Sequence, residues 1–485
     1  MYEWLSDALQ GPSTVITANR RLARVLQQEF ARQQVQLERR AWESPAILAW
    51  QDWLALIVQG ASNQAELPAR LNSHQSQLLW ERSLLKELAE STVGISSLVR
   101  LSRDAWQRMA DWQVSIRDVA RSAQNHDQRL FAAAAGRYLG ILERESWVDE
   151  AGLGQLVNRL LREKRSSCSG RVTFVGFDRT RPLVSSIQAA LEECGAEVRR
   201  APSRAQATRV ELQCFDSAEA EMRAAGAWAR SRREISPGES IAIIATNLEQ
   251  RAQQAGHLVR EGLVPGWQYA PASFAQAVNI SYGRKLGDYP AIATALLLAS
   301  WLVRDLSSIE LGHLLRTPLL GSSSPGARSR LELRLRQLPD RRWTPAMVSS
   351  SFRGVQGASN ATEWLEMVAQ LSTARRELQQ QKRASPAEWA IYIDEVLSRC
   401  GWPGTETLSS ADFQLVNRWR DTLNDLARLE IINPSMDLQT AIRRLDLMAA
   451  DAVFQPESDS SAVQLMGPRE ASGAEFGAIW ISGVT

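Results

Sequence analysis

Residues Arg171 to Leu191 read RVTFVGFDRTRPLVSSIQAAL. Val172, Phe174 and Val175 make a short apolar run with β-branched bias, the pattern of a strand buried in a parallel sheet. Gly176 ends the run, Pro182 stands where a helix begins, and an amphipathic helix is expected to Leu191. A strand, a tight turn and a helix place chemistry at the carboxyl edge of an α/β sheet. Here that edge is Val175, Gly176, Phe177 and Asp178. A magnesium ion bridging nucleotide phosphates takes carboxylate or water oxygens, and neither Val nor Gly side chains supply one.

A chain of 485 residues has room for about three domains of ordinary size. Its apolar fraction of 44% is that of a packed protein, not a disordered one. With 56 Lys+Arg against 54 Asp+Glu it is nearly neutral, so any nucleic-acid surface must be a local patch. Only Lys86, Lys164, Lys285 and Lys382 are lysines. Genomic base composition explains that bias, yet the arginine fork suits phosphate and base stacking better than an ammonium does. Cys168, Cys194, Cys214 and Cys400 show no CxxC and no metal spacing, and read as small apolar fillers in a reducing cytoplasm. No signal peptide is expected from MYEWLSDALQG, and the longest apolar run, Ala291 to Val303, is too short to span a bilayer. A soluble, cytoplasmic protein is expected.

Upstream of the central stretch, Thr14 to Ala18 (TVITA) reads as another strand. Asn19 can cap the helix behind it, with Leu22, Val25, Leu26 and Phe30 on one face. Asn19, Arg20 and Arg21 then stand at the positive end of a helix, a natural phosphate site; a capped surface helix with solvated arginines is the competing reading. Trp42, Trp50 and Trp53 read as core anchors in preference to base-stacking platforms. From about Pro68 to Glu163 the periodicity is helical, and Asp149 and Glu150 read as first-turn acids favoured by a helix dipole. Val198, Val210 and Leu212 are expected strand residues, Ser217 to Glu234 a helix, and Pro237-Gly238 a linker. Ser240 to Ala245 is a strand followed by a helix, and helical patterns return from Pro290 to Leu429. Ala462 to Thr485 goes back to strand and loop, ending on an apolar strand that a covering helix further on is expected to complete.

These phrases resemble motifs of the UvrD-like superfamily 1 DNA helicases. Gly-Phe-Asp-x-x-x-Pro, Gly176 to Pro182, resembles the AddB-like DNA repair branch of bacteria, as do Gly287 to Pro290 and Leu315 to Pro318. In the helicases the strand ends in Asp-Glu, then an aromatic and Gln-Asp-Thr-Asn-Pro. Here Phe177, Thr180 and Pro182 match, while Val175-Gly176 replaces Asp-Glu and Asp178-Arg179 replaces Gln-Asp. ITANRRLARVLQQEF resembles motif Ia, which touches the single-stranded DNA backbone, and so implies Asn19, Arg20 and Arg21 as DNA contacts. IAIIATNLEQR resembles motif IV at Thr246, Asn247 and Arg251, with Ala245 in place of the first arginine. The last strand-loop-strand resembles motif V, facing ribose and DNA backbone, with Gly473, Glu475 and Phe476 matching. The phosphate loop that should precede the first strand is absent, and no Gly-Lys dipeptide occurs in the chain.

The resemblance implies an α/β protein of two discontinuous, helicase-like RecA lobes with parallel sheets, each carrying a large all-helical insertion. Residues 1–66 and 171–237 would form the first lobe around an insertion at 67–170. Residues 238–290 and 456–485 would form the second around an insertion at 291–455. Val175, Gly176, Asp178, Thr246, Asn247 and Arg251 would line a degenerate nucleotide cleft, so ATP and magnesium are not expected to bind, and no catalytic residue or metal ligand is assigned. The implied function is a non-catalytic DNA-binding scaffold of a double-strand-break repair exonuclease. Its partners would be DNA, as a single strand or duplex end, and a helicase-nuclease subunit, with a PD-(D/E)xK nuclease domain further along. That nuclease is not among these residues, since no acid stands two places before any of the four lysines, and there is no HExxH or GxSxG. Two other functions stay open: an active ATP-dependent helicase using unfamiliar ligands, and a protein-binding platform that assembles a repair complex.

Overall fold

The structure, a computed structural model, describes residues 2–61, 66–88, 94–166, 170–177, 181–202, 209–269, 277–321, 325–339, 341–352, 362–378, 382–404, 407–455 and 463–484. The chain forms two compact units, Met1–Tyr282 with Ser458–Thr485, and Gly283–Glu457. Its strands in the first half are β1 (Ser13–Thr17), β2 (Ile47–Ala49), β3 (Ala69–Arg70), β4 (Trp147–Val148), β5 (Arg171–Val175) and β6 (Glu197–Arg200). Those that follow are β7 (Ile241–Ala245), β8 (Val278–Ile280), β9 (Arg284–Lys285), β10 (Val453–Phe454), β11 (Val463–Met466) and β12 (Ala478–Ser482).

The first unit is α/β and holds two four-stranded parallel sheets. One has the order β2-β1-β5-β6 and pairs Val15 with Thr173 and Ile16 with Phe174. Both faces of this sheet are covered, which is why β5 reads as a continuous apolar run. Val172 and Phe174 point toward Trp53, Leu156, Leu160 and Ile187, from the helices Trp50–Ala61, Leu153–Arg162 and Pro182–Glu193. Val15 and Val175 point the other way, onto Tyr2, Leu5, Leu22 and Leu26. Each such large side chain taken fully out of water stabilises the fold by about 1.5–3 kcal/mol. Pro182 opens its helix at the first turn, where its missing N–H costs nothing. Trp50 and Trp53 stack with ring centroids 5.6 Å apart inside this core, whereas Trp42 is exposed.

The helices between β2 and β5 pack around a buried polar knot. Asp149 accepts from the Trp106 indole, the Tyr138 hydroxyl and the Gly152 amide, each at 2.9 Å, and Tyr138 also bonds Ser76 at 2.8 Å. Neither Asp149 nor Glu150 is a first-turn acid: both precede the helix Leu153–Arg162, whose first turn holds no acid, and Asp149 is 3% exposed while Glu150 is exposed. A second correction concerns Val210 and Leu212, which join no strand and are 84% and 88% exposed, since no neighbouring strand offers them a ladder.

The second sheet runs β12-β7-β11-β8, also parallel throughout. The helices Ala218–Ile235 and Leu248–Leu263 cover one face and press together at Gly226 and Gly262. A Cβ on Gly226 would stand 2.1 Å from the Val259 carbonyl, and one on Gly262 2.0 Å from that of Arg223.

Among the described residues the second unit is helical apart from the two-residue antiparallel ladder β9–β10 and isolated bridges. Its interior is built on fully buried Trp301, Trp343, Trp389 and Trp419. Two of these place their indole N–H on carbonyls, Trp301 on Trp343 at 2.9 Å and Trp389 on Met436 at 2.8 Å. Capping boxes at Ser307–Glu310 and Ser385–Glu388 start two of its helices. Among the described residues no helix is long and apolar enough to cross a membrane.

Gly226→Ala should lower stability by about 1–3 kcal/mol through overpacking, read as a lower urea midpoint. A second outcome concerns pH. The Arg304 guanidinium and then the Ser307 donors hold the Glu310 carboxyl at about 2 against an ordinary 4.5, with burial opposing. A depressed carboxyl contributes fully above pH 4.5 and loses that contribution as pH falls toward 2. Glu310→Gln should therefore flatten the pH dependence of unfolding in that window.

Candidate functional site

In an open parallel sheet, ligands bind where strand order reverses, beyond the carboxyl ends of the strands. In the first sheet that place lies between β1 and β5, because β1 leads to β2 on one side and β5 lies on the other. The residues there are Ala18 and Asn19 after β1, and Gly176 and Phe177 after β5. Val175 is buried in the core below, and Phe177 turns inward, edge-on to Phe174 and Trp50 at 5.4 and 5.8 Å.

This crevice is filled by the chain's own loop between β11 and β12. Gly176 and Gly473 face each other there, at φ +78° and +77°, in the left-handed region that glycine enters without strain. A Cβ on Gly473 would lie 2.8 Å from the Gly176 Cα and 2.8 Å from the Leu22 side chain, so the two backbones are in direct contact. The Ser472 hydroxyl donates to the Gly176 carbonyl at 3.4 Å, and Ala474 packs onto the Tyr2–Leu22–Leu26 cluster. The Glu475 amide donates to the Tyr2 hydroxyl at 2.9 Å, a phenol that burial pushes up to about 12.

Of the residues that the motif Ia resemblance points to, Asn19 and Arg21 take part in the same seam. Asn19 Oδ1 accepts from the Leu22 amide at 2.8 Å, capping the helix Arg20–Gln36, and its Nδ2 donates to the Arg469 carbonyl at 3.4 Å. Arg21 donates to the Gln464 side chain on β11 at 2.7 Å, and burial lowers its pKa against the charge of Glu470. Arg20 forms a two-pronged pair with Asp52 at 2.6 and 3.0 Å, which raises its pKa while leaving the guanidinium side chain 78% exposed. Gly473, Glu475 and Phe476 all lie on the docked loop, Phe476 half-buried. Burial and then Glu470, on the same β11–β12 connection, push the Tyr282 hydroxyl up to about 12.

Thr246, Asn247 and Arg251 come together elsewhere, at the carboxyl ends of β7 and β12. They line a cavity of about 90 Å³ with Glu219, Glu221 and Gly483. Thr246 donates to the Gly483 carbonyl at 3.3 Å, the Gly483 amide donates to Glu221 at 3.2 Å, and Arg251 pairs with Glu219 at 3.6 Å. The helix bends at Arg251, whose φ of −130° and ψ of 17° are non-helical. The hydrogen bonds and ion pairs of these residues thus run to Gly483 and Glu219, while Gly176 packs on Leu22, Ser472 and Gly473. Asp178 lies outside the described residues. Among the described residues, no cluster of three or more His, Cys, Asp or Glu could hold a metal ion.

Tyr2, Gln464 and Glu470 complete the seam and carry no signal in the sequence, because each acts on a partner far along the chain. No protein-family model matches the chain, and no curated protein matches it.

Gly473→Ala should both strain the left-handed backbone and push Gly176 away, at a cost of about 1–3 kcal/mol. The checking measurement is hydrogen exchange: the Glu475 amide and the amides around Gly176 should exchange faster while the Gly226 region stays protected.

Proposed function

We propose that this chain is a non-catalytic, helicase-like DNA-binding scaffold of a bacterial double-strand-break repair exonuclease, acting in the cytoplasm. Its two parallel sheets would be RecA-like lobes, holding DNA for a nuclease carried outside these residues. The observation that carries the reading is the filled crevice between β1 and β5, where Gly473 rests on Gly176. A motor needs that place open for a triphosphate and needs carboxylates there for magnesium. Here the strand ends in Val175 and Gly176, whose carbonyl already accepts from Ser472. The resemblance to helicase motifs Ia, IV and V supports the DNA part of the reading. With Arg21 bonded to Gln464 and Asn19 to Arg469, phosphate contact falls to exposed arginines such as Arg20 and others beyond the seam.

Isothermal calorimetry with ATP and magnesium should give no heat of binding, and micromolar affinity would overturn the scaffold in favour of a motor. Fluorescence anisotropy with a single-stranded oligonucleotide should show binding that weakens steeply with salt, as phosphate contacts require. Absence of any DNA binding would instead favour the protein-binding platform.

A further inference from the structure

Between the helices that separate β2 from β5 lies an open groove of about 940 Å³, within the size range of small-ligand and cofactor sites. Its walls include Trp106, Met109, Leu142, Trp147 and Leu156. The Trp106 ring is held in place by its bond to Asp149 and by edge-on contact with Tyr138, centroids 5.8 Å apart. Arg117, in the first turn of Ile116–Ser122, and Arg159, in the last turn of Leu153–Arg162, also line the groove and are exposed.

Most notable is what these two arginines lack. Arg137 pairs with Glu87, Arg162 with Glu193 and Arg181 with Asp111 in the same part of the fold. Neither Arg117 nor Arg159 has an ion-pair partner among the described residues. Among the described residues two acids line the groove; Asp149 is buried with three donors of its own, and Glu143 is exposed. Aromatic walls in a groove that is also lined by two guanidinium groups without ion-pair partners suit a base and its neighbouring phosphates. An apolar peptide would use the walls and leave both cations unmatched.

We propose that this groove is the seat of single-stranded DNA, a base lying against Trp106 and Trp147 and its neighbouring phosphates on Arg117 and Arg159. The inference rests on the DNA-binding reading and names where the strand is gripped. The test is anisotropy of a labelled oligo-dT on the full chain across a salt series. In Arg117→Ala/Arg159→Ala, affinity at low salt should fall about tenfold or more, and the slope of log affinity against log salt should flatten by about 1.4, the share of two phosphates on a single strand. Trp147→Ala should weaken binding by about 5- to 150-fold with the slope unchanged, the loss of one base stack. Glu143→Gln should tighten binding by about two- to fivefold, a gain that damaged folding cannot produce. If wild-type chain binds the oligonucleotide but the arginine pair and Glu143→Gln leave affinity and slope unchanged, the groove is not the seat, and the scaffold reading survives without it. A loss of affinity in the arginine pair with no change of slope would mean that neither arginine meets a phosphate and would overturn the proposal. If wild-type chain binds no DNA, both readings fall together.

Discussion

The contact of Gly176 with Gly473 is the constraint on which the rest of the first unit depends. Both residues sit in backbone conformations that most side chains rarely adopt; a Cβ on Gly473 would meet the Gly176 Cα, and one on Gly176 would press on the Leu22 side chain. Around that bare backbone contact the chain adds directional bonds at Asn19, Arg21, Ser472 and Tyr2 and an apolar anchor at Ala474. A mobile nucleotide cleft would be lined by groups waiting for a ligand. This seam is instead lined by groups that already have partners from the chain itself.

Tryptophan and arginine divide the remaining labour. The largest side chains are mostly sealed in the interior, where indole N–H groups of Trp301, Trp389 and Trp402 find carbonyls. Many arginines lie at the surface in ion pairs, such as Arg232 with Glu239 and Arg316 with Glu332, which contribute little to stability when exposed. Against that background, a cation without a partner next to an aromatic wall carries more information than the total count of arginines does.

Much of the framework was legible because its signals are local. The apolar run of β5, the proline that opens the next helix and the Asn19 cap each depend on neighbours within a few residues, and each appears in the structure. Val210 and Leu212 show the limit of that logic: apolar alternation suggests a strand, but a strand exists only where another offers it a ladder. Asp149 shows another, since an acid before a helix looks the same in sequence whether it meets water or a buried tryptophan and tyrosine. The candidate site was only half visible. The replacement of the acids by Val175 and Gly176 can be read directly, whereas the docking of residues 472–475 onto that edge joins segments some 300 residues apart, or more in the case of Tyr2, and has no local mark.

The position of the second unit within the chain has a consequence for how the second sheet forms. Strands β8 and β11 are neighbours in that sheet, yet all of Gly283–Glu457 intervenes between them. Bringing the ends of so long a flexible loop together costs on the order of 5 kcal/mol of chain entropy. The short ladder β9–β10 joins Arg284–Lys285 to Val453–Phe454, close to where the chain leaves β8 and returns toward β11. Once the helical unit has folded and this clasp has closed, β11 meets its partners as though it followed β8 directly. Assembly of the second sheet is thereby tied to completion of the insertion, and damage deep in the helical unit would be felt as a β11 slow to join its sheet.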